Sequence, residues 1–158
     1  MNVRPYLPSD FTALYTIEEI CFAPALRFSR EYMRNLLRRS SAAAWIVEEN
    51  ERMIGFSVVC WKRERLGVVA YIETIEVLPE DRGKGSAGEL LRCMEASARK
   101  VDAVVIWLHV AENNASAIRL YDAHGYQFKG REENYYQDGN AALAMWKPLR
   151  EGLIANKD

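Results

Sequence analysis

The sequence is poor in the residues on which several functional classes depend. Only three cysteines occur, Cys21, Cys60 and Cys93, in unrelated segments and without C-x-x-C spacing. An odd number of cysteines with apolar neighbours argues against a disulfide framework or a zinc ribbon and predicts reduced, packed thiols. The two histidines, His109 and His124, are far apart, and no carboxylate cluster has ligand spacing, so no metal is expected. Net charge is −1, which disfavours a nucleic-acid binder that relies on bulk electrostatics. No apolar run reaches membrane-spanning length; the longest, Ala103 to Leu108, suits a strand. The opening MNVRPYLPSDF has no apolar signal core, which predicts a cytoplasmic protein. Repeats, low-complexity tracts and Pro/Gly/Ser-rich linkers are also missing. The expectation is one domain over residues 1–149, followed by a loose tail over 150–158.

What is present is an ordinary globular composition, 49% hydrophobic and 27% charged, in a chain of 158 residues that can bury a sizeable core. VRPYLP reads as a short strand, and Ser9 or Asp10 can cap a helix reaching about Phe22 with Leu14, Ile17 and Cys21 on one face. Pro24 breaks that helix, and Ser29 can cap a second one through Arg39. AAAWIVEE and RMIGFSVVCWKR read as strands joined by a polar turn over Glu49 to Glu51, and VVAYIETIEVL as a longer strand closed by Pro79. A helix then runs to about Lys100, and VVIWLHV is a buried strand. Asn114 can cap the helix SAIRLYDAH, Gly125 ends it, and YQFKGR and AALAMWKPL are the last strands. The predicted order is β-α-α-β-β-β-α-β-α-β-β, an α/β (α+β) fold with a mixed, mostly antiparallel sheet of about seven strands and about four helices.

Between the long strand and its helix lies EDRGKGSAGELL, in which Gly83, Gly85 and Gly88 fit G-x-G-x-x-G. A P-loop is excluded because Lys84 is followed by glycine. A dinucleotide fingerprint needs an acidic residue ending the next strand, whereas Asp102 precedes it. A kinase loop joins two strands, and this one enters a helix. The physical signal is nevertheless specific. Glycines at a helix start leave successive backbone N–H groups unobstructed, the helix dipole adds positive potential, and Arg82 and Lys84 supply charge nearby. That arrangement predicts a phosphate-bearing ligand; the competing reading is a glycine-rich turn with no ligand.

Arg82-Gly83-Lys84-Gly85-Ser86-Ala87 resembles the R/Q-x-x-G-x-G/A motif of the GNAT N-acetyltransferases, which hold the pyrophosphate of acetyl-CoA there. A second block, Asn114-Ala115-Ser116-Ala117-Ile118-Arg119-Leu120-Tyr121 followed by Gly125-Tyr126, resembles that family's N-x-x-A-I-x-L-Y-x-x-x-G-F. The resemblance covers the chain to about Leu149 and implies the GNAT fold, an acetyl-CoA co-substrate, and direct attack by an amine without an acyl-enzyme. It implies donor contacts from Arg82 to Ala87, from Asn114, and from the backbone of Ile75, Glu76 and Val77 where a bulge splays their strand from VVIWLHV. Two positions depart from the pattern. Asp81 stands where Gln is common and would bring negative charge close to the phosphates, and Ser86 replaces an aliphatic residue and would loosen the helix behind the loop.

By the same resemblance Tyr121 is the general acid at the leaving sulfur, a task that suits a phenol protonated at neutral pH. Position 109 aligns with a catalytic Glu of the bacterial ribosomal-protein-alanine acetyltransferases. The pairing of Tyr71 with His109 looks instead like the NatE-type N-terminal acetyltransferases, in which a tyrosine and a histidine hold a relaying water. Glu73, on the same strand face as Tyr71 and Ile75, is the reserve base. His124 reads as a helix C-terminal residue favoured by the dipole. Asn134-Tyr135-Tyr136 resembles the segment whose tyrosines hold the acceptor peptide, and Phe22, Ala23 and Pro24 occupy the loop that shapes the pocket for its first side chain. The expected acceptor is thus a protein or peptide N-terminus, handled by a monomer or homodimer. The alternatives are a small-molecule amine, for which a more acidic cleft is expected, and a silent acetyl-CoA-binding module.

Overall fold

In the computed structural model the described residues are Met1–Arg150, so the expected tail lies outside them apart from Arg150. Seven strands, β1 (Asn2–Pro5), β2 (Ala42–Glu49), β3 (Arg52–Glu64), β4 (Gly67–Val77), β5 (Val105–Ala111), β6 (Gln127–Glu132) and β7 (Ala142–Pro148), form one sheet. Their order is β1-β2-β3-β4-β5-β7-β6. Four helices complete the fold: α1 (Phe11–Cys21), α2 (Arg30–Leu37), α3 (Ser86–Lys100) and α4 (Ala115–Ala123). The element order and the mixed sheet agree with the expectation.

Local chemistry explains most boundaries. The β2–β3 hairpin turns at Asn50 and Glu51, both with positive φ (52° and 62°), which matches the right-handed twist of its strands. Ser29 Oγ accepts the Tyr32 N–H at 3.0 Å and starts α2. Asn114 does the same for α4 through the Ala117 N–H at 3.2 Å, and Gly125, at φ 88°, ends it. The cap of α1 differs from the expectation. Asp10 stands at the helix start but makes no side-chain cap bond, because its carboxylate is bound to Arg4 at 2.8 Å and to the Leu7 N–H at 2.8 Å. Strand β1 also stops at Pro5, three residues early, since Pro8 opens a short 3-10 turn.

The core lies on both faces of the sheet. Leu91, Met94 and Ala98 of α3 pack with Ile72, Ile106 and Leu108 on one side. Leu14, Ile17, Met33 and Leu36 of α1 and α2 pack with Ile46, Phe56 and Val58 on the other. Buried apolar area of this kind supplies the main driving force for folding. Among the described residues no helix is long and apolar enough to cross a membrane.

The feature that positions the site is the central pair. Strands β4 and β5 are parallel but pair only over Val69–Tyr71 with Val105–Trp107. On its other side β4 is antiparallel to β3, with Val59 opposite Ile72 and Val58 opposite Thr74, so Glu73 is the extra residue of a bulge. Past the bulge β4 follows β3 and leaves β5, while β5 follows β7. The result is a V-shaped gap in mid-sheet. Because the two strands are parallel, the loops after both of them lie at the same edge of that gap.

Candidate active site

The loop after β4 is built to present main-chain amides. Gly83 and Gly85 have φ values of 82° and 88°, a left-handed conformation that favours glycine. A Cβ built on either would meet nothing within 4 Å, so conformation and not space requires these glycines. The N–H groups of Gly83, Lys84, Gly85, Ser86, Ala87 and Gly88 find no backbone acceptor among the described residues. Six successive unpartnered donors at the N-terminus of a helix make an anion site, with the dipole adding to it. Arg82 braces the loop from behind: its Nε donates to the Val77 carbonyl at 2.9 Å.

Both departures from the motif are absorbed locally. Asp81 is buried and accepts from Arg52 at 2.9 Å and Lys84 at 3.3 Å, so its charge is compensated and not aimed at the loop. Lys84 is thereby turned back toward Asp81 and Glu49, both 3.3 Å away, and the loop's positive character comes chiefly from its amides. Ser86 is 2% exposed and the helix behind it is tightly packed, with Leu90, Leu91, Met94 and Ala98 fully buried. The expected loosening is not seen.

The gap opens into a cleft of about 810 Å³ lined by β4, β5, α4, the α1–α2 loop and the segment after β6. Strand alternation sends Tyr71, Trp107 and His109 to the same face, and Tyr135 completes an aromatic cluster on them. Tyr135 stacks on His109 with ring centroids 4.5 Å apart, and Trp107 meets Tyr71 at 4.8 Å. His109 Nδ1 is 2.9 Å from the Tyr71 hydroxyl and 3.2 Å from that of Tyr135. In the tautomer that lets Tyr71 donate, Nε2 carries the ring proton and faces Glu132 at 3.5 Å. Burial, then the Tyr135 hydroxyl, hold the Tyr71 phenol above its ordinary pKa. Tyr71 therefore stays protonated and can donate to His109 Nδ1.

Tyr121 lies on the buried face of α4 beside Tyr126, and burial raises its pKa above the usual phenol value. It enters the cleft fully protonated at neutral pH. Glu73 also lines the cleft, its carboxylate accepting from Tyr32 at 3.2 Å and from the Cys60 thiol at 3.5 Å. The three cysteines are free thiols. Burial pushes Cys60 up to about 12 and Cys21 up to about 11, so neither serves as a nucleophile near neutrality. His124 Nδ1 bonds the Leu120 carbonyl at 2.9 Å, in the helix-terminal place expected of it.

Eight of the residues singled out from the sequence come together, while the loop over residues 82–87 lies outside the cleft lining. Tyr71, Ile75, His109, Asn114, Tyr121, Tyr135, Tyr136 and Phe22 all line the cleft. Pro24 does not: the Ala23–Leu26 turn carries it outward, and Leu26 and Phe28 face the cleft instead. Glu76 and Val77, expected to contribute only their backbone, have buried side chains that do not line the cleft. Sequence reasoning missed Glu18, Tyr32, Asp138 and Asn140. Glu18 had a usable signal, a carboxylate four residues after Leu14 on the apolar face of its helix.

Comparison with known proteins gives the same picture. The model of the Acetyltransferase (GNAT) family matches residues 11–126. The catalytic subunit NAA10 of the N-terminal acetyltransferase A complex from Arabidopsis thaliana is 26% identical over 150 residues, 94% of this chain and 78% of that protein. Streptothricin acetyltransferase from Streptomyces lavendulae is 41% identical over 81 residues, 49% of this chain and 43% of its own length. The crystal structure of the NatC complex bound to Gag peptide and CoA contains a chain that superposes with a TM-score of 0.84 at 19% identity, covering 94% of this chain and 98% of that one. At that identity the likeness speaks for the fold, and the family model speaks for kinship. With its amide-lined loop, its split strands and a match across the core of the family pattern, the chain belongs to the GNAT family of acetyltransferases.

Proposed function

We propose that this enzyme transfers the acetyl group of acetyl-CoA to the N-terminal α-amine of a protein or peptide, within a ternary complex. The observation that carries the reading is the Tyr71–His109–Tyr135 cluster at the mouth of the β4–β5 gap, next to Tyr136 and opposite the apolar wall of Phe22, Leu26 and Phe28. The amides of residues 83–88 hold the donor's pyrophosphate, and the gap beside Ile75 takes its pantetheine arm. Tyr71 donates to His109 and with it orients a water. As the amine nitrogen bonds the thioester carbon its proton passes to that water, the water passes a proton to the Tyr71 oxygen, and the Tyr71 proton moves to His109 Nδ1. Tyr121 gives its phenolic proton to the sulfur as the carbon–sulfur bond breaks. A buried phenol with a raised pKa is a strong base once ionised and recovers its proton between turnovers.

The domain spans residues 1–149, and a reducing compartment such as the cytoplasm agrees with three free thiols. A second reading, a small cationic amine as acceptor, is favoured by one observation. The cleft is lined by Glu18, Glu73 and Asp138 and by no Lys or Arg among the described residues. Peptides with free, N-acetylated or lysine-bearing sequences, assayed for thiol release and mapped by mass spectrometry, separate the two. Acetyl groups on the α-nitrogen of free N-termini support the proposal. Turnover confined to small diamines, with every peptide inert, overturns it.

A further inference from the structure

At the floor of the cleft two glutamates, Glu18 in its lining and Glu76 behind it, lie together with no ion-pair partner among the described residues. Glu18, from α1, is 1% exposed and Glu76, from β4, is 3% exposed. Each has one oxygen satisfied. Glu18 Oε2 accepts the Phe28 N–H at 3.0 Å, and Glu76 Oε2 accepts the Thr74 hydroxyl at 2.7 Å. The remaining oxygen of each, Oε1, is buried and without a partner when both groups are ionised. Cys21, three residues after Glu18 on α1, has its thiol 3.7 Å from the Val77 carbonyl, so α1 lies against β4 here and brings the Glu18 carboxyl beside that of Glu76. Two carboxylates can only accept; a single proton turns one of them into a donor to the other.

The pair joins the two halves of the site. Through Phe28, Glu18 holds the α1–α2 loop whose Phe22, Leu26 and Phe28 wall the cleft. Glu76 lies in the donor strand between Ile75, which lines the cleft, and Val77, whose carbonyl braces Arg82 of the amide loop. We propose that Glu18 and Glu76 are positioning residues, one proton held between their carboxyl groups fastening the acceptor-side loop to the donor strand. The inference rests on the α1–α2 loop being the acceptor wall.

The charged and titratable neighbours of Glu76 are Glu18 and Cys21 from α1 and Arg82 from the loop after β4. Burial, then the bond to Glu18, raise Glu76 well above the usual carboxylate range, and the Arg82 charge and the Thr74 hydroxyl only partly oppose this. Cys21 is itself pushed up to about 11 and stays neutral beside the pair. Removing the shared proton at high pH sets two negative charges in one dry space and releases the loop. Neither glutamate touches the reacting atoms, so the effect falls mostly on acceptor binding.

Three readouts on the intact chain test this. The first is the infrared band of a protonated carboxyl at neutral pH, expected in the wild type and lost in Glu76→Gln. The second is amide-exchange protection at Phe28 without donor or acceptor. It should fall with rising pH in the wild type, stay level in Glu76→Gln, whose amide donates to Glu18 at every pH, and be low throughout in Glu76→Ala. The third is kinetic: Glu76→Ala raises the acceptor KM by about tenfold and the donor KM by less, and Glu76→Gln restores both. A wild-type chain without the protonated band, or a Glu76→Gln chain whose Phe28 protection follows the wild-type pH course, overturns the proposal. The infrared band and the comparison of wild-type with Glu76→Gln exchange need no folded Glu76→Ala chain and no substrate. If they hold while every peptide remains unacetylated, the proton pair stands and the acceptor assignment falls.

Discussion

Replacing Gly85 by alanine isolates the loop geometry from everything else. Gly85 sits at φ 88° and ψ 4°, directly before α3. An alanine forced into the left-handed region costs roughly 1–2 kcal/mol. The added methyl meets nothing within 4 Å, so no steric term adds to this strain. Two outcomes share the cost. If the loop keeps its shape, stability falls, and for a chain of this size about 1–2 kcal/mol lowers the melting temperature by roughly 2–8 °C. If the loop relaxes, the amides of residues 83–88 diverge and the donor Kd rises by about 5- to 30-fold, since 1.4 kcal/mol is tenfold. Calorimetric titration with coenzyme A, together with thermal melts, reads both. Gly130→Ala is the control: its Cβ also meets nothing within 4 Å and its φ is not positive, so neither quantity should move. Unchanged donor affinity and unchanged melting in Gly85→Ala would refute the claim that this left-handed turn creates the anion site.

Tyr121→Phe removes the acid and keeps the packing; turnover should fall by about 10²-fold in steady-state assays while the coenzyme A affinity from titration stays level. His109→Gln should lose most activity below the acceptor amine's own pKa, and a loss equal at all pH values would assign the residue to packing. The raised Glu76 pKa gives stability a definite slope: the contribution is complete below its ordinary value of about 4.5 and is lost as pH rises through the raised value. Denaturant melts across pH should show the wild type weakening on the alkaline side and Glu76→Gln staying flat by comparison. Asn114→Ala removes the α4 cap and should cost about 1 kcal/mol in the same melts.

The elements that can be read from the sequence are those with short-range causes. Ser29, Asn114 and Gly125 mark helix ends because caps act over three or four residues. The alternation of β4 and β5 puts Tyr71 and His109 on one face before any tertiary contact is known. Where partners are distant in sequence, the reading fails. Asp10 looks like a cap but is claimed by Arg4, and Asp81 looks like a charge beside the phosphates but is claimed by Arg52, 29 residues away. The family resemblance puts Pro24 at the pocket, yet the Ala23–Leu26 turn exchanges it for Phe28, and no local pattern fixes that direction. The Glu18–Glu76 pair joins a helix to a strand 58 residues on, a distance given by the two residue numbers, and only the folded chain brings it together.

The account stands or falls on donor and acceptor meeting in the β4–β5 gap. A conjugate of coenzyme A joined through an acetyl bridge to the α-nitrogen of a short peptide occupies both halves at once, and calorimetry can compare it with coenzyme A and the peptide alone. The prediction is a conjugate bound at least about 10²-fold more tightly than coenzyme A. A conjugate bound no more tightly than coenzyme A would contradict it.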